Sequence, residues 1–205
     1  MSEIFFKKPK VIVFSGHAFS GSTIFSLFLG NNPKIVNLGE VKNLENDYNE
    51  NLNCTCGSKL SDCTFWQKIK IKLDESNFKG PSFDLNNNSK SSLIDKKGFL
   101  FKKLLVLIGF SPRVVYGAKN TDYYLQKNVN FFKEIQNHIS YSNYIVDASK
   151  TPERLNILLD SSEIDIYCIY LKRNLRTVFN SNYKRKKKSR EKFGFKFYRE
   201  LILLH

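Results

Sequence analysis

Lys10-Val11-Ile12-Val13-Phe14-Ser15-Gly16-His17-Ala18-Phe19-Ser20-Gly21-Ser22-Thr23 is an apolar run that gives way to a Gly/Ser-rich turn, after which the apolar segment Ile24 to Leu29 follows. The β-branched and aromatic stretch Val11 to Phe14 favours a buried strand, and the small residues after it favour a turn into a helix. A strand, a tight turn and a helix N-terminus present converging main-chain N–H groups and the positive end of a helix dipole, which together attract an anion. The nucleotide-binding pattern G-x-x-x-x-G-K-[ST] is met at Gly16, Gly21 and Thr23, but Ser22 stands where its lysine belongs. Without that cation the loop lacks the group that grips the β/γ-phosphates of a nucleoside triphosphate. A phosphate ligand of another kind is expected.

The second half of the chain repeats the theme. Asn143-Tyr144-Ile145-Val146-Asp147-Ala148-Ser149-Lys150-Thr151-Pro152 and Ile164-Asp165-Ile166-Tyr167-Cys168-Ile169-Tyr170-Leu171-Lys172-Arg173-Asn174-Leu175-Arg176 are apolar strands that end in polar and basic residues. In a parallel α/β sheet the strand C-termini line one crevice, so Ser20 to Thr23, Lys150 and Arg173 are expected around a common ligand with two separated anionic groups.

With these pieces the chain resembles the sulfotransferases that use 3′-phosphoadenosine-5′-phosphosulfate (PAPS). Ser20-Gly21-Ser22-Thr23 is similar to their 5′-phosphosulfate loop, and Arg173 with Ser181, eight positions later, is similar to their 3′-phosphate site. Leu38-Gly39-Glu40 after Asn32-Pro33 resembles the protein-tyrosine and bacterial carbohydrate branch, and Asp147 to Pro152 adds a fourth ordered match across residues 10–183. The Cys-rich loop ending in Phe65-Trp66 also occurs in some bacterial chains of this kind.

The resemblance implies a P-loop-like α/β fold of three layers, a parallel sheet flanked by helices. It also implies sulfuryl transfer to a hydroxyl-bearing acceptor, a glycan, small molecule or peptide. Glu40 and Lys150 are then the catalytic pair: Glu40 takes the acceptor proton and Lys150 neutralises the leaving phosphate. His17, Phe19, Ser20, Gly21, Ser22 and Thr23 form the donor loop, and Arg173 and Ser181 clamp the 3′-phosphate, Arg173 through a guanidinium suited to bidentate contact. No metal is implied. Each residue also has a plainer reading, Glu40 as a helix first-turn carboxylate, Ser181 as a surface helix serine, His17 as a loop histidine, and Lys150 and Arg173 as solvated strand ends.

Two departures from the family pattern bear on activity. Sulfotransferases commonly carry Lys or Arg immediately before the loop serine, where Phe19 stands here, and the common Arg-Asp-Pro-Arg reads Arg173-Asn174-Leu175-Arg176. The first removes a cation from the reaction centre; Lys119 and a protonated His17 are the candidates to replace it. Relatives of this kind continue past the position of His205, so the chain is expected to be either a short or truncated form or a fragment, and together with Phe19 this leads to an expectation of weak or lost turnover. A P-loop kinase or NTPase is the alternative, opposed by Ser22 and by the lack of a clear carboxylate after a strand. A nucleotide- or polyanion-binding module without catalysis is the other.

Composition bounds these readings. The chain of 205 residues, 41% hydrophobic, suits one domain with a true core. Its 33 Lys+Arg against 19 Asp+Glu give a net charge of +14, which attracts anions without choosing among them. Nucleic acid is not the expected partner, because no aromatic RNA-binding strand or zinc-knuckle spacing accompanies the charge. The first apolar run leads straight into the anion loop, and the run Phe99 to Phe110 is broken by Lys102 and Lys103. No transmembrane segment and a cytoplasmic location are therefore expected. Cys54, Cys56 and Cys63 are open to three readings: zinc ligands that lack a fourth partner at recognisable spacing, a Cys56–Cys63 disulfide, or free thiols. Free thiols are the expectation for a cytosolic chain.

Periodicity predicts strands at 10–15, 34–37, 143–147 and 165–171. Helices are predicted at 21–30, from about Glu40, and at 65–74, 93–108, 122–140, 152–160 and 175–185. Residues 76–92 are expected as a surface loop, and 184–205 as a basic and then apolar C-terminal helix. Strands alternating with helices argue for a parallel sheet.

Overall fold

β1 (Lys10–Gly16) is the strand on which the rest of the fold is arranged, and both of its faces are covered. The computed structural model describes residues 8–76, 78, 81–85, 101, 102, 104–106, 108–139 and 141–189. Within them β1, β2 (Ile35–Asn37), β3 (Tyr144–Asp147) and β4 (Asp165–Leu171) form one parallel sheet in the order β2-β3-β1-β4. Val11 lies level with Ile145 on one side and Ile166 on the other.

Because side chains alternate along a strand, β1 divides its residues between two cores. Val11 and Val13 join Ile145, Phe131, Phe132, Ile157 and Leu158 in the larger core, whereas Ile12 and Phe14 join Val146, Leu29 and Ile169 in the smaller. Helices thus flank the sheet, an arrangement compatible with a three-layer α/β fold. α1 (Ser22–Gly30) supplies Leu29 to the smaller core, and the Phe14 and Phe25 rings lie 5.7 Å apart. α5 (Ala118–His138) and α6 (Pro152–Leu159) supply the larger core. In α5, Leu125, Val129, Phe132 and Ile135 are buried at the three- and four-residue spacing of one helix face. Each such side chain contributes about 1.5–3 kcal/mol on burial.

Also formed among the described residues are a 3₁₀ turn at Val41–Asn43, α2 (Leu44–Asn49), α3 (Thr64–Asp74), α4 (Pro112–Tyr116) and α7 (Leu175–Ser189). α3 packs Trp66, Ile69 and Leu73 inward, with the Trp66 ring edge-on to Phe83 at 5.7 Å.

Three expectations need correction. Residues 81–85, expected within a surface loop, bury Phe83 and Leu85 completely in the larger core, since two apolar side chains suffice to pull a polar stretch inward. α5 begins at Ala118 rather than 122, because Gly117, with φ 87, ends α4 and lets a new helix start at once. α7 runs on to Ser189, so Lys184 to Lys188 continue it rather than opening a separate helix. The helix expected over 93–108 falls largely outside the described residues, as does the segment 190–205.

Candidate functional site

β1 ends at Gly16, with φ 136, where a Cβ would meet the Leu171 carbonyl oxygen of β4 at 2.4 Å. Only glycine lets the two strand ends approach this closely. The loop that follows folds back through a bond from the Ser20 N–H to the His17 carbonyl at 3.2 Å, and Phe19 and Gly21 take left-handed φ values of 63 and 93. Gly21 is the N-cap of α1 and offers no side-chain cap, so no side chain occupies the helix's first-turn N–H groups. The Ser20 hydroxyl is buried without a hydrogen bond, which costs about 1–3 kcal/mol. Ser22 is buried, Thr23 is exposed, and His17 is half-buried.

Arg173, just beyond β4, reaches this loop: its Nη1 donates to the Phe19 carbonyl at 2.9 Å. Ser181 makes no hydrogen bond to it among the described residues. Its hydroxyl donates to the Thr177 carbonyl at 2.9 Å, one turn back on α7. Lys119 is exposed at the second position of α5.

The expected Glu40–Lys150 pair is brought together where the β2–β3 ladder runs on past its strands. Leu38 N–H donates to the Val146 carbonyl at 3.0 Å and Ala148 N–H to the Gly39 carbonyl at 2.8 Å, so the turns after β2 and β3 are tied together. Asn37 Oδ1 accepts from the Gly39 N–H at 3.0 Å, and the Ser149 hydroxyl accepts from the Lys42 N–H at 3.0 Å. Asp147 holds the β3 turn by accepting from the Ser149 N–H at 2.9 Å and from its hydroxyl. Its other oxygen takes the Arg154 Nε at 2.8 Å in a wholly buried ion pair. The outcome is a Lys150 Nζ to Glu40 Oε1 contact of 2.9 Å, with Asn43 Nδ2 donating to Glu40 Oε2 at 3.0 Å.

Lys150 has φ 53. Phe19, Asn51 and Lys150 are the non-glycine residues with positive φ among those described, and two of them stand at this site. Such backbone is retained where the surroundings over-determine it, as functional sites do.

Glu40 and Thr23 line one cavity of about 260 Å³, shared with Asn37, Asp47, Cys54 and Trp66. Asn37 and Asp47 carry no motif and Cys54 and Trp66 come from the Cys-rich segment; the fold brings all four to the cavity. Asp47 has its carboxyl pushed above the usual range, by burial first and then by the Glu50 and Glu40 carboxylates. A dipole-exposed anion loop, a guanidinium on it and a Lys–Glu pair beside it can together bind a phosphorylated ligand and move a proton at one edge of the sheet. No family model, curated protein or solved structure matches the chain.

Proposed function

We propose that the chain is a PAPS-dependent sulfotransferase with a P-loop-like scaffold, transferring a sulfuryl group to an acceptor hydroxyl. The observation that carries this reading is the Arg173–Phe19 contact, which joins the two expected donor-binding segments across 154 positions of sequence. The Lys150–Glu40 contact supports it independently, since it pairs the two expected catalytic groups across a similarly long separation.

Sulfuryl transfer, like phosphoryl transfer, depends mainly on in-line positioning and on stabilising charge. The N–H groups of Ser20 to Thr23 and the α1 N-terminus hold the 5′-phosphate, with the Ser20 hydroxyl gaining its missing partner. Arg173 binds the 3′-phosphate, and Ser181 joins it when its hydroxyl turns from Thr177. Glu40 takes the acceptor proton as the acceptor oxygen bonds sulfur, while Lys150 neutralises the 5′-phosphate oxygen from which sulfur departs. The two members of that pair meet each other's charge at 2.9 Å. At about 260 Å³ the cavity is below the usual size for drug-like ligands, so it suits one sugar ring or one side chain bearing a hydroxyl. No described helix is long and apolar enough to cross a membrane.

Calorimetric titration with 3′-phosphoadenosine-5′-phosphate, with Mg-ATP as comparison, tests the reading. Saturable binding of the bisphosphate, unmatched by Mg-ATP, is expected. Arg173→Ala, a change at an exposed position, is expected to weaken it about 10- to 100-fold. Equal binding by the variant, or none by the folded chain, refutes the assignment. Once an acceptor is in hand, Glu40→Gln should lower kcat about 10²- to 10⁴-fold with bisphosphate affinity unchanged.

A further inference from the structure

Three thiols meet on the loop between α2 and α3. The loop closes as a short hairpin in which Asn53 bridges Lys59, Cys54 N–H donates to the Ser58 carbonyl at 2.8 Å and Leu60 N–H to the Leu52 carbonyl at 2.9 Å. Gly57, with φ 90, makes the sharp turn at its tip. Cys63 N–H then donates to the Lys59 carbonyl at 2.9 Å, which returns Cys63, the N-cap of α3, to the two tip cysteines.

The sulfurs of Cys54, Cys56 and Cys63 all lie within 4.8 Å of one another, and Cys56 and Cys63 are 3.6 Å apart. Tetrahedral zinc with bonds of about 2.3 Å to sulfur separates its thiolates by about 3.8 Å, so the cluster has the spacing of a metal site without movement of the backbone. A disulfide would engage two of these thiols and leave the third without a role in so close a group. An all-sulfur donor set selects thiophilic ions over magnesium or calcium. Cys63 is buried, Cys54 half-buried and Cys56 exposed, which gives an ion a way in.

We propose that Cys54, Cys56 and Cys63 form a three-thiolate zinc site whose fourth position is left to water or an external ligand. Binding releases the thiol protons to solvent and involves no redox change. Because Cys54 also lines the cavity that holds Glu40, the ion would fix one wall of the pocket assigned to the acceptor. Sequence spacing points away from zinc because it seeks four ligands; three converging sulfurs with an open position are visible only in the fold.

The full chain, reduced and kept free of oxygen, is titrated with Co²⁺ and then Zn²⁺. One equivalent of Co²⁺ with a sulfur-to-cobalt charge-transfer band, displaced by one equivalent of Zn²⁺, is expected. Cys54→Ser and Cys56→Ser, neither at a buried position, should each weaken binding by more than about 100-fold, whereas Cys168→Ser should not. The proposal is overturned by a folded, reduced chain that takes up no ion saturably, by a cobalt spectrum without that band, or by both variants binding as the parent does. Air oxidation to a Cys56–Cys63 disulfide in a chain that takes up no metal when reduced overturns it as well. Bisphosphate binding reports on the loop, Arg173 and Ser181 and not on the three cysteines, so the two assignments stand or fall separately.

Discussion

Phe19, with φ 63, stands where the proposed function calls for a cation, while its carbonyl is the acceptor for Arg173. The side chain and the main chain of this residue therefore do separate work. On the proposed function, Phe19→Lys keeps the carbonyl and adds charge beside the transferring group. A charge-assisted contact of about 1.5–3 kcal/mol corresponds to a kcat increase of about 10- to 100-fold, measured by steady-state sulfuryl transfer with little change in bisphosphate affinity. An unchanged kcat would mean that another cation already serves the sulfuryl oxygens. Gly16 makes the opposite demand, because its Cβ would have to occupy the place of a main-chain oxygen 2.4 Å away. Gly16→Ala should cost more than about 1 kcal/mol in chemical denaturation and loosen the loop that begins there.

Between the strands and the loops, the buried Arg154–Asp147 pair sets the geometry of the turn after β3. Arg154 on α6 also donates to the Leu85 carbonyl at 2.9 Å and the Tyr124 hydroxyl at 2.8 Å, and to Asn128, so one guanidinium ties α6, α5 and residues 81–85 to the strand end. Arg154→Met leaves Asp147 buried with its charge uncompensated. About 3–5 kcal/mol of stability should be lost in urea denaturation, together with the fixed position of Lys150. Asp47 on α2 supplies a pH test. Its folded-state carboxyl is raised, so the ionised form lowers stability above that value, and the penalty disappears below the ordinary value of 3.8. Asp47→Asn should therefore raise Tm at pH 7 and lose that advantage near pH 3, in paired thermal melts. Elements differ in how openly the sequence declares them. β1, β3 and β4 were readable because their apolar runs end in polar residues at one edge of the sheet, and this also placed Lys150 and Arg173. α4 was not, since Pro112 and the flanking Gly109 and Gly117 favour a loop, and Phe83 and Leu85 sit in a polar stretch where the Trp66 and Tyr48 rings meet Phe83. The cavity residues Asn37, Asp47, Cys54 and Trp66 come from four separate segments, and only tertiary packing joins them.

Across the whole molecule the net charge of +14 acts on stability and on binding in opposite directions. Like charges spread over a small domain repel one another in the compact state, which lowers stability, while on the proposed function the same net charge attracts the anionic donor. The ion pairs Arg113–Asp122 and Lys70–Asp74 are exposed and contribute about 0–1 kcal/mol each, so their screening is a smaller effect than relief of the net repulsion. Raising NaCl from about 0.1 M to about 1 M shortens the screening length from about 10 Å to about 3 Å. Contacts made within the loop, such as a phosphate on the α1 N-terminus, survive that change; attraction by distant lysines does not. Tm should thus rise with salt while bisphosphate affinity falls, each followed on the same samples by calorimetry. Arg173→Ala should weaken binding at both salt concentrations by a similar factor, because its effect is one of direct contact. If the affinity were insensitive to salt, the excess charge would be serving some surface other than the donor site. If Tm fell with salt, the exposed ion pairs would outweigh the repulsion, and the basic surface would be better compensated than its net charge suggests.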